Sequence, residues 1–168
     1  FAESETQNEK GFYSAIEFKP NLKWKIRTYV DFYKYPWLRY YTNTNSYGKD
    51  FFMQTDYKIN RNTNLYFRYK KESKEENFNL EDINSPIIGL KTKQVYRFNA
   101  AFKEGENWSF KNRVEISKVD LPEGTENGFM MYQDVKFKPM FSKLSFSLRY
   151  TYFNTESYDS RIYAYEND

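Results

Sequence analysis

The chain has 168 residues, enough for one domain of ordinary size, with 26 Lys+Arg against 23 Asp+Glu and a formal charge of +3. It contains no Cys and no His, which excludes a disulfide framework, thiolate or His-ligated zinc, the Ser-His-Asp triad and the Cys-His pair. Aromatics make up 21% of the residues, too many for a disordered chain, and no run of ~18 apolar residues exists to form a transmembrane helix.

Phe1 to Lys10 is polar and acidic, reads as loop and has no signal-peptide pattern. Phe12, Ser14, Ile16 and Phe18 then alternate with Tyr13, Ala15, Glu17 and Lys19 as a first strand. Pro20-Asn21 turns the chain into the longest clean alternation, Leu22 to Tyr33. There Leu22, Trp24, Ile26, Thr28, Val30 and Phe32 form one face, and Lys23, Lys25, Arg27, Tyr29, Asp31 and Tyr33 the other. Such a stretch is about twice a usual strand and matches the ~9–11 residues of a strand that crosses a bilayer, apolar outward and polar inward. A mean hydropathy of -0.95 does not oppose this, because only alternate residues of a barrel strand meet lipid.

The same pattern predicts strands over Asp50–Asn60, Leu65–Lys70, Val95–Lys103, Trp108–Ser117, Phe129–Lys138 and Leu144–Tyr152. A ninth strand is expected to begin at Arg161–Tyr165. Asn112 and Gln133 interrupt the apolar faces of the sixth and seventh strands. Short connections near Pro20, Asn62, Gly105 and Pro139 alternate with long ones near Tyr41, Asp82, Gly124 and Ser157. Outer-membrane barrels have this asymmetry. The expected fold is all-β: an antiparallel up-and-down transmembrane β-barrel, with residues 1–168 forming one portion of a larger barrel and about eight or nine strands present. Bacterial barrels normally have an even strand count, so the remaining strands are expected from the same protein or another chain.

On this assignment the inner face carries fourteen basic residues against five acidic ones, about +9 where the whole chain is +3. Its principal members are Lys25, Arg27, Arg68, Lys70, Arg97, Lys111, Arg113, Lys136 and Arg149. Either these charges pair across neighbouring strands and fill the barrel, or they form an anion-favouring lumen. An aromatic loop with Tyr35, Trp37, Arg39, Tyr40 and Tyr41 reads as an interface girdle at the rim, or as a stacking platform for sugars or bases. Glu72, Glu75, Glu76, Glu81 and Asp82 offer carboxylates to calcium but match no EF-hand spacing, so they read as a solvated acidic loop. No catalytic spacing, phosphate-cradling glycine loop, metal site or cofactor site is found, and the chain reads as a non-enzyme.

Several segments carry a family resemblance. These are Gly11-Phe12-Tyr13 with Ile16-Glu17, Trp24 to Tyr40, Asn112 to Glu115, Tyr132 to Lys136, and Tyr158 to Asp168. Together they resemble the C-terminal region of Bacteroidota helix-hairpin-helix (ComEA-like) domain proteins. The resemblance implies a longer protein with upstream helix-hairpin-helix segments and a C-terminal barrel in a Gram-negative outer membrane. It makes nucleic acid one of the anionic partners to consider.

The function expected is an outer-membrane barrel with a basic lumen for transport or docking of anionic material. The alternatives are a non-conducting scaffold that holds an outer-membrane complex partner or surface lipoprotein, and a soluble all-β carbohydrate binder using Trp37 and its tyrosines.

Overall fold

The computed structural model describes residues 9–37, 42, 44–78 and 86–164. Alternating side chains keep the backbone extended, and each run finds its partner in the next. The strands are β1 (Lys10–Phe18), β2 (Trp24–Tyr35), β3 (Ser46–Lys58), β4 (Thr63–Phe78), β5 (Ile87–Glu104), β6 (Trp108–Leu121), β7 (Gly124–Phe137) and β8 (Phe146–Thr155). They form one antiparallel sheet in the order β1 to β8. Each strand touches only its sequence neighbours, and β1 and β8 do not meet, so the sheet is open. No helix occurs among the described residues.

The register divides the side chains as the alternation predicts. Ile26 faces Thr55, which faces Phe67, then Phe98, Val114 and Met131. On this face no Asp, Glu, Lys or Arg occurs within Phe12–Phe18 of β1, Trp24–Phe32 of β2, Phe51–Tyr57 of β3, Leu65–Tyr69 of β4, Tyr96–Phe102 of β5, Trp108–Ile116 of β6, Phe129–Phe137 of β7 and Phe146–Tyr152 of β8. Aromatic rings border it. Trp24 packs on Tyr57 at 4.4 Å and Trp108 on Phe137 at 4.5 Å at one end, while Tyr69 packs on Tyr96 at 4.9 Å towards the other. Asn112 and Gln133, the two polar interruptions, stand directly opposite each other.

Among the described residues no second sheet or helix covers either face, yet the faces differ in burial. Gln54, Asn99, Glu115, Tyr132 and Asp134 on the polar face are at most 4% exposed, whereas Phe67, Phe98 and Ile116 on the apolar face are 44–47% exposed.

Three expectations are corrected. The charged run after Lys70 is strand, not loop: β4 continues to Phe78 and β5 starts at Ile87. The reason is charge complementarity across the pair. Glu72 lies opposite Lys93, and Glu76 bridges the two facing lysines, Lys74 at 2.7 Å and Lys91 at 3.4 Å, offsetting their repulsion. Glu72 and Glu76 are thus engaged by lysines; Glu81 and Asp82 lie outside the described residues.

Loop lengths do not alternate strictly either. β6 and β7 join through a two-residue turn at Pro122-Glu123, with Gly124 at φ 155°, while β7 and β8 are joined by the longer 138–145 segment. Thr125 donates to Asp120 at 2.8 Å across that tight hairpin and holds the Asp120 carboxyl below its ordinary range. Finally, Arg161–Ala164 is not a ninth strand; Tyr165 lies outside the described residues. After β8 the chain turns inward over the polar face.

Lys91 is the pivot of the β4–β5 extension, held between Glu76 and, at 2.7 Å, Asp159. Lys91→Gln removes the cation held between Glu76 and Asp159 and is expected to cost ~1–2 kcal/mol locally. Amide hydrogen exchange should speed up about tenfold or more at Lys74–Phe78, with the centre of β4 at Arg68 unchanged.

Candidate functional site

The cross-strand register assembles the predicted basic residues into rows on the polar face. One row runs Glu17, Arg27, Gln54, Arg68, Arg97, Glu115. The next runs Lys25, Asp56, Tyr66, Asn99, Arg113, Tyr132, and a third holds Lys111, Asp134 and Arg149. Arg68 is therefore directly opposite Arg97, with Arg27 on the far side of Gln54 in the same row and Arg113 in the next row.

Many of these cations are neutralised. Lys25 meets Glu17 at 2.8 Å, and Arg27 meets Asp56 at 2.9 Å. Lys70 lies 3.2 Å from both Asp50 and Glu72. Arg97 grips Glu115 with Nε and Nη2 at 2.5 and 2.9 Å, and Arg149 grips Asp134 the same way at 2.5 and 2.8 Å. Such two-pronged pairs fix geometry as well as charge.

Four of the predicted residues differ. Among the described residues no carboxylate lies within ion-pair distance of Arg68, Lys111, Arg113 or Lys136. Arg68 donates from Nε to Gln54 at 2.8 Å and lies over the rings of Phe52 and Tyr66. Arg113 lies 5.0 Å from the Tyr132 ring. The Nε atoms of Arg27 and Arg113 and Oδ1 of Asn99 are buried with no protein partner. An oxyanion is the ligand chemistry this patch suits: several guanidinium donors in fixed positions, with more positive charge than the local carboxylates cancel.

Tyr132 is the centre of the patch that sequence reasoning missed. It is 4% exposed, and three cations surround its ring: Arg149 at 4.4 Å, Arg113 at 5.0 Å and Lys111 at 5.7 Å. The ring's negative face offsets part of their mutual repulsion. Only the pairing of Arg113 with Tyr132, a long-range register, could have revealed it.

At the end where β4 and β5 run long, the segment after β8 crosses the polar face. Ser117 donates to the Ser160 carbonyl at 2.5 Å, Lys93 donates to the carbonyls of Asp159 and Arg161 at 2.6 and 3.3 Å, and Lys91 holds the Asp159 side chain. Ser160 is completely buried, seated against Gly128, where a Cβ would collide with the Ser160 carbonyl.

The rim aromatics are only partly placed. Tyr35 ends β2 and donates to Glu9 at 2.7 Å, and Trp37 is 65% exposed. Arg39, Tyr40 and Tyr41 lie outside the described residues.

Tyr132→Leu should destabilise the protein by ~2–4 kcal/mol, through lost ring volume and three released cations, whereas Tyr132→Phe keeps the ring face and should cost under about 1 kcal/mol. Urea midpoints of the two variants check the difference. Gly128→Val should displace the segment around Ser160 without unpairing β6 and β7, seen as new protease cleavage confined to residues 156–161.

The chain matches no protein-family model, and neither the curated proteins nor the solved structures contain a match to it.

Proposed function

We propose that these strands are part of a transmembrane β-barrel of a Gram-negative outer membrane, and that the polar face lines a lumen that passes or docks anionic material. One observation carries the reading. Eight consecutive strands keep a band free of charge on one side, while the other side gathers arginines from neighbouring strands and, among the described residues, leaves Arg68, Lys111, Arg113 and Lys136 without a carboxylate at ion-pair distance. A soluble sheet has no need of an uncharged, exposed band eight strands wide, whereas lipid demands one. The open edges of β1 and β8 require further strands to pair with, from this protein or another chain, since unpaired backbone groups are costly in hydrocarbon. The resemblance to helix-hairpin-helix proteins agrees with an outer-membrane location and keeps nucleic acid among the candidate anions.

Two measurements test it. Single cysteines at Trp24, Lys25, Ile26 and Arg27 in intact outer membranes should split by face: 24 and 26 react from lipid, 25 and 27 only from water or not at all. Equal reaction of all four with a water-soluble reagent rejects the membrane reading. In planar bilayers, Arg68→Glu and Arg113→Glu should each lower anion-over-cation selectivity severalfold or reverse it.

A second reading, a filled barrel that serves as a scaffold for a partner, is favoured by the segment around Ser160, which occupies part of the polar face at one end. A folded, inserted protein with no conductance selects this reading over transport.

A further inference from the structure

The apolar face carries its own charged margin. Beyond the uncharged band, towards the end where β4 and β5 run long, Lys10 and Lys34 stand opposite each other on β1 and β2. Lys49 on β3 stands opposite Phe32, and Lys71 on β4 opposite Phe51. All four share the parity of the apolar face, not of the arginine rows. Three of them, with Phe32, Tyr47 and Leu90, line a groove of about 560 Å³. Phe32, Tyr47 and Leu90 are each more than half exposed there. Lys34 donates to the Tyr47 hydroxyl at 2.7 Å with its ammonium over the ring, which fixes one cation in place. Among the described residues no carboxylate lies within ion-pair distance of Lys10, Lys34, Lys49 or Lys71. Glu75, the acid lining the groove, accepts the backbone N–H of Tyr47 at 2.9 Å.

This arrangement has a direction along each strand: Phe12 gives way to Lys10, Phe32 to Lys34, Phe51 to Lys49 and Tyr69 to Lys71, so on this face a lysine follows the last apolar side chain at the edge of a band that carries no charge. A solvated protein surface has no reason to order these layers so. A lipid whose headgroup is a phosphomonoester has the matching order, acyl chain on the side of the band and dianion beyond it. We infer that the groove is a binding site for a phosphomonoester lipid of the surrounding leaflet, with Lys10, Lys34 and Lys49 on the phosphate and Phe32 against the first acyl segment. The inference rests on the membrane reading above.

The test uses the intact full-length protein, the triple variant K10Q/K34Q/K49Q, the triple arginine variant K10R/K34R/K49R, and K143Q, which alters a lysine in the β7–β8 connection. Each is reconstituted in phosphatidylcholine vesicles, and protease protection of the strands reports insertion. Affinity is then measured for phosphatidic acid added in detergent micelles, and separately for inorganic phosphate. Juxtamembrane lysines contribute roughly fivefold each, so the glutamine variant should bind phosphatidic acid on the order of a hundredfold more weakly. The arginine variant and K143Q should bind as the parent does. Equal affinity of the parent and glutamine variant, with both inserted, overturns the lipid site and leaves the membrane reading standing. Inorganic phosphate bound as tightly as phosphatidic acid, and lost in the same variant, overturns the lipid assignment in favour of a free-anion site. Failure of the parent to insert overturns both readings together.

Discussion

A slip of one residue between any two of these strands would carry Arg27, Arg68 or Arg97 onto the face that holds Ile26, Phe67 and Phe98. Every other property of the sheet depends on that not happening. Apolar surface alone pins the register loosely here, because the apolar face is open rather than packed against a second layer. The polar face supplies the stronger constraint. Arg97 with Glu115 and Arg149 with Asp134 are two-pronged pairs whose carboxylates are almost wholly buried, and a shifted strand would leave each of them buried and alone. Removing one partner from such a pair typically costs ~3–5 kcal/mol.

The polar face is therefore both a filled layer and a charged one. Arg97 with Glu115 and Arg149 with Asp134 pair along the rows, while Lys25 with Glu17 and Arg27 with Asp56 join neighbouring rows, so that acid and base neutralise each other locally and the surplus collects around Arg68 and Arg113. Tyr132 lets three cations share a small volume by presenting an aromatic face instead of a carboxylate. A carboxylate there would have cancelled the surplus; the ring tolerates the cations and preserves their positive potential.

The strands and their two faces could be read from the sequence because side-chain period is local: Leu22 to Tyr33 declares its faces without reference to any other part of the chain. What could not be read depended on pairing. The run Lys70 to Asn77 looks like a solvated charged loop until Lys91 and Lys93 are placed opposite it. Pro122 to Gly128 contains enough turn-forming residues for a long loop, yet Val119, Glu126 and their neighbours pair up to a two-residue turn. Arg161 to Tyr165 alternates like a strand, but backbone contacts from Ser117 and Lys93 draw its first residues across the sheet instead. The nine basic residues named from the sequence all lie on strands of the polar face. Which of them keep an uncancelled charge was settled by the position of each acid on the neighbouring strand.

Strict nearest-neighbour pairing has a consequence for how the sheet comes into being. No strand waits for a partner from a distant part of the chain, so each hairpin closes a short loop, and the entropy cost of every step is small and similar. Assembly can begin at any turn and spread in both directions as a zipper. The β6–β7 hairpin, with its two-residue turn and the most deeply buried side chains, is the natural place for it to start. Growth then ends at β1 and β8, so the last strands to be ordered are those that present unpaired backbone to whatever comes next.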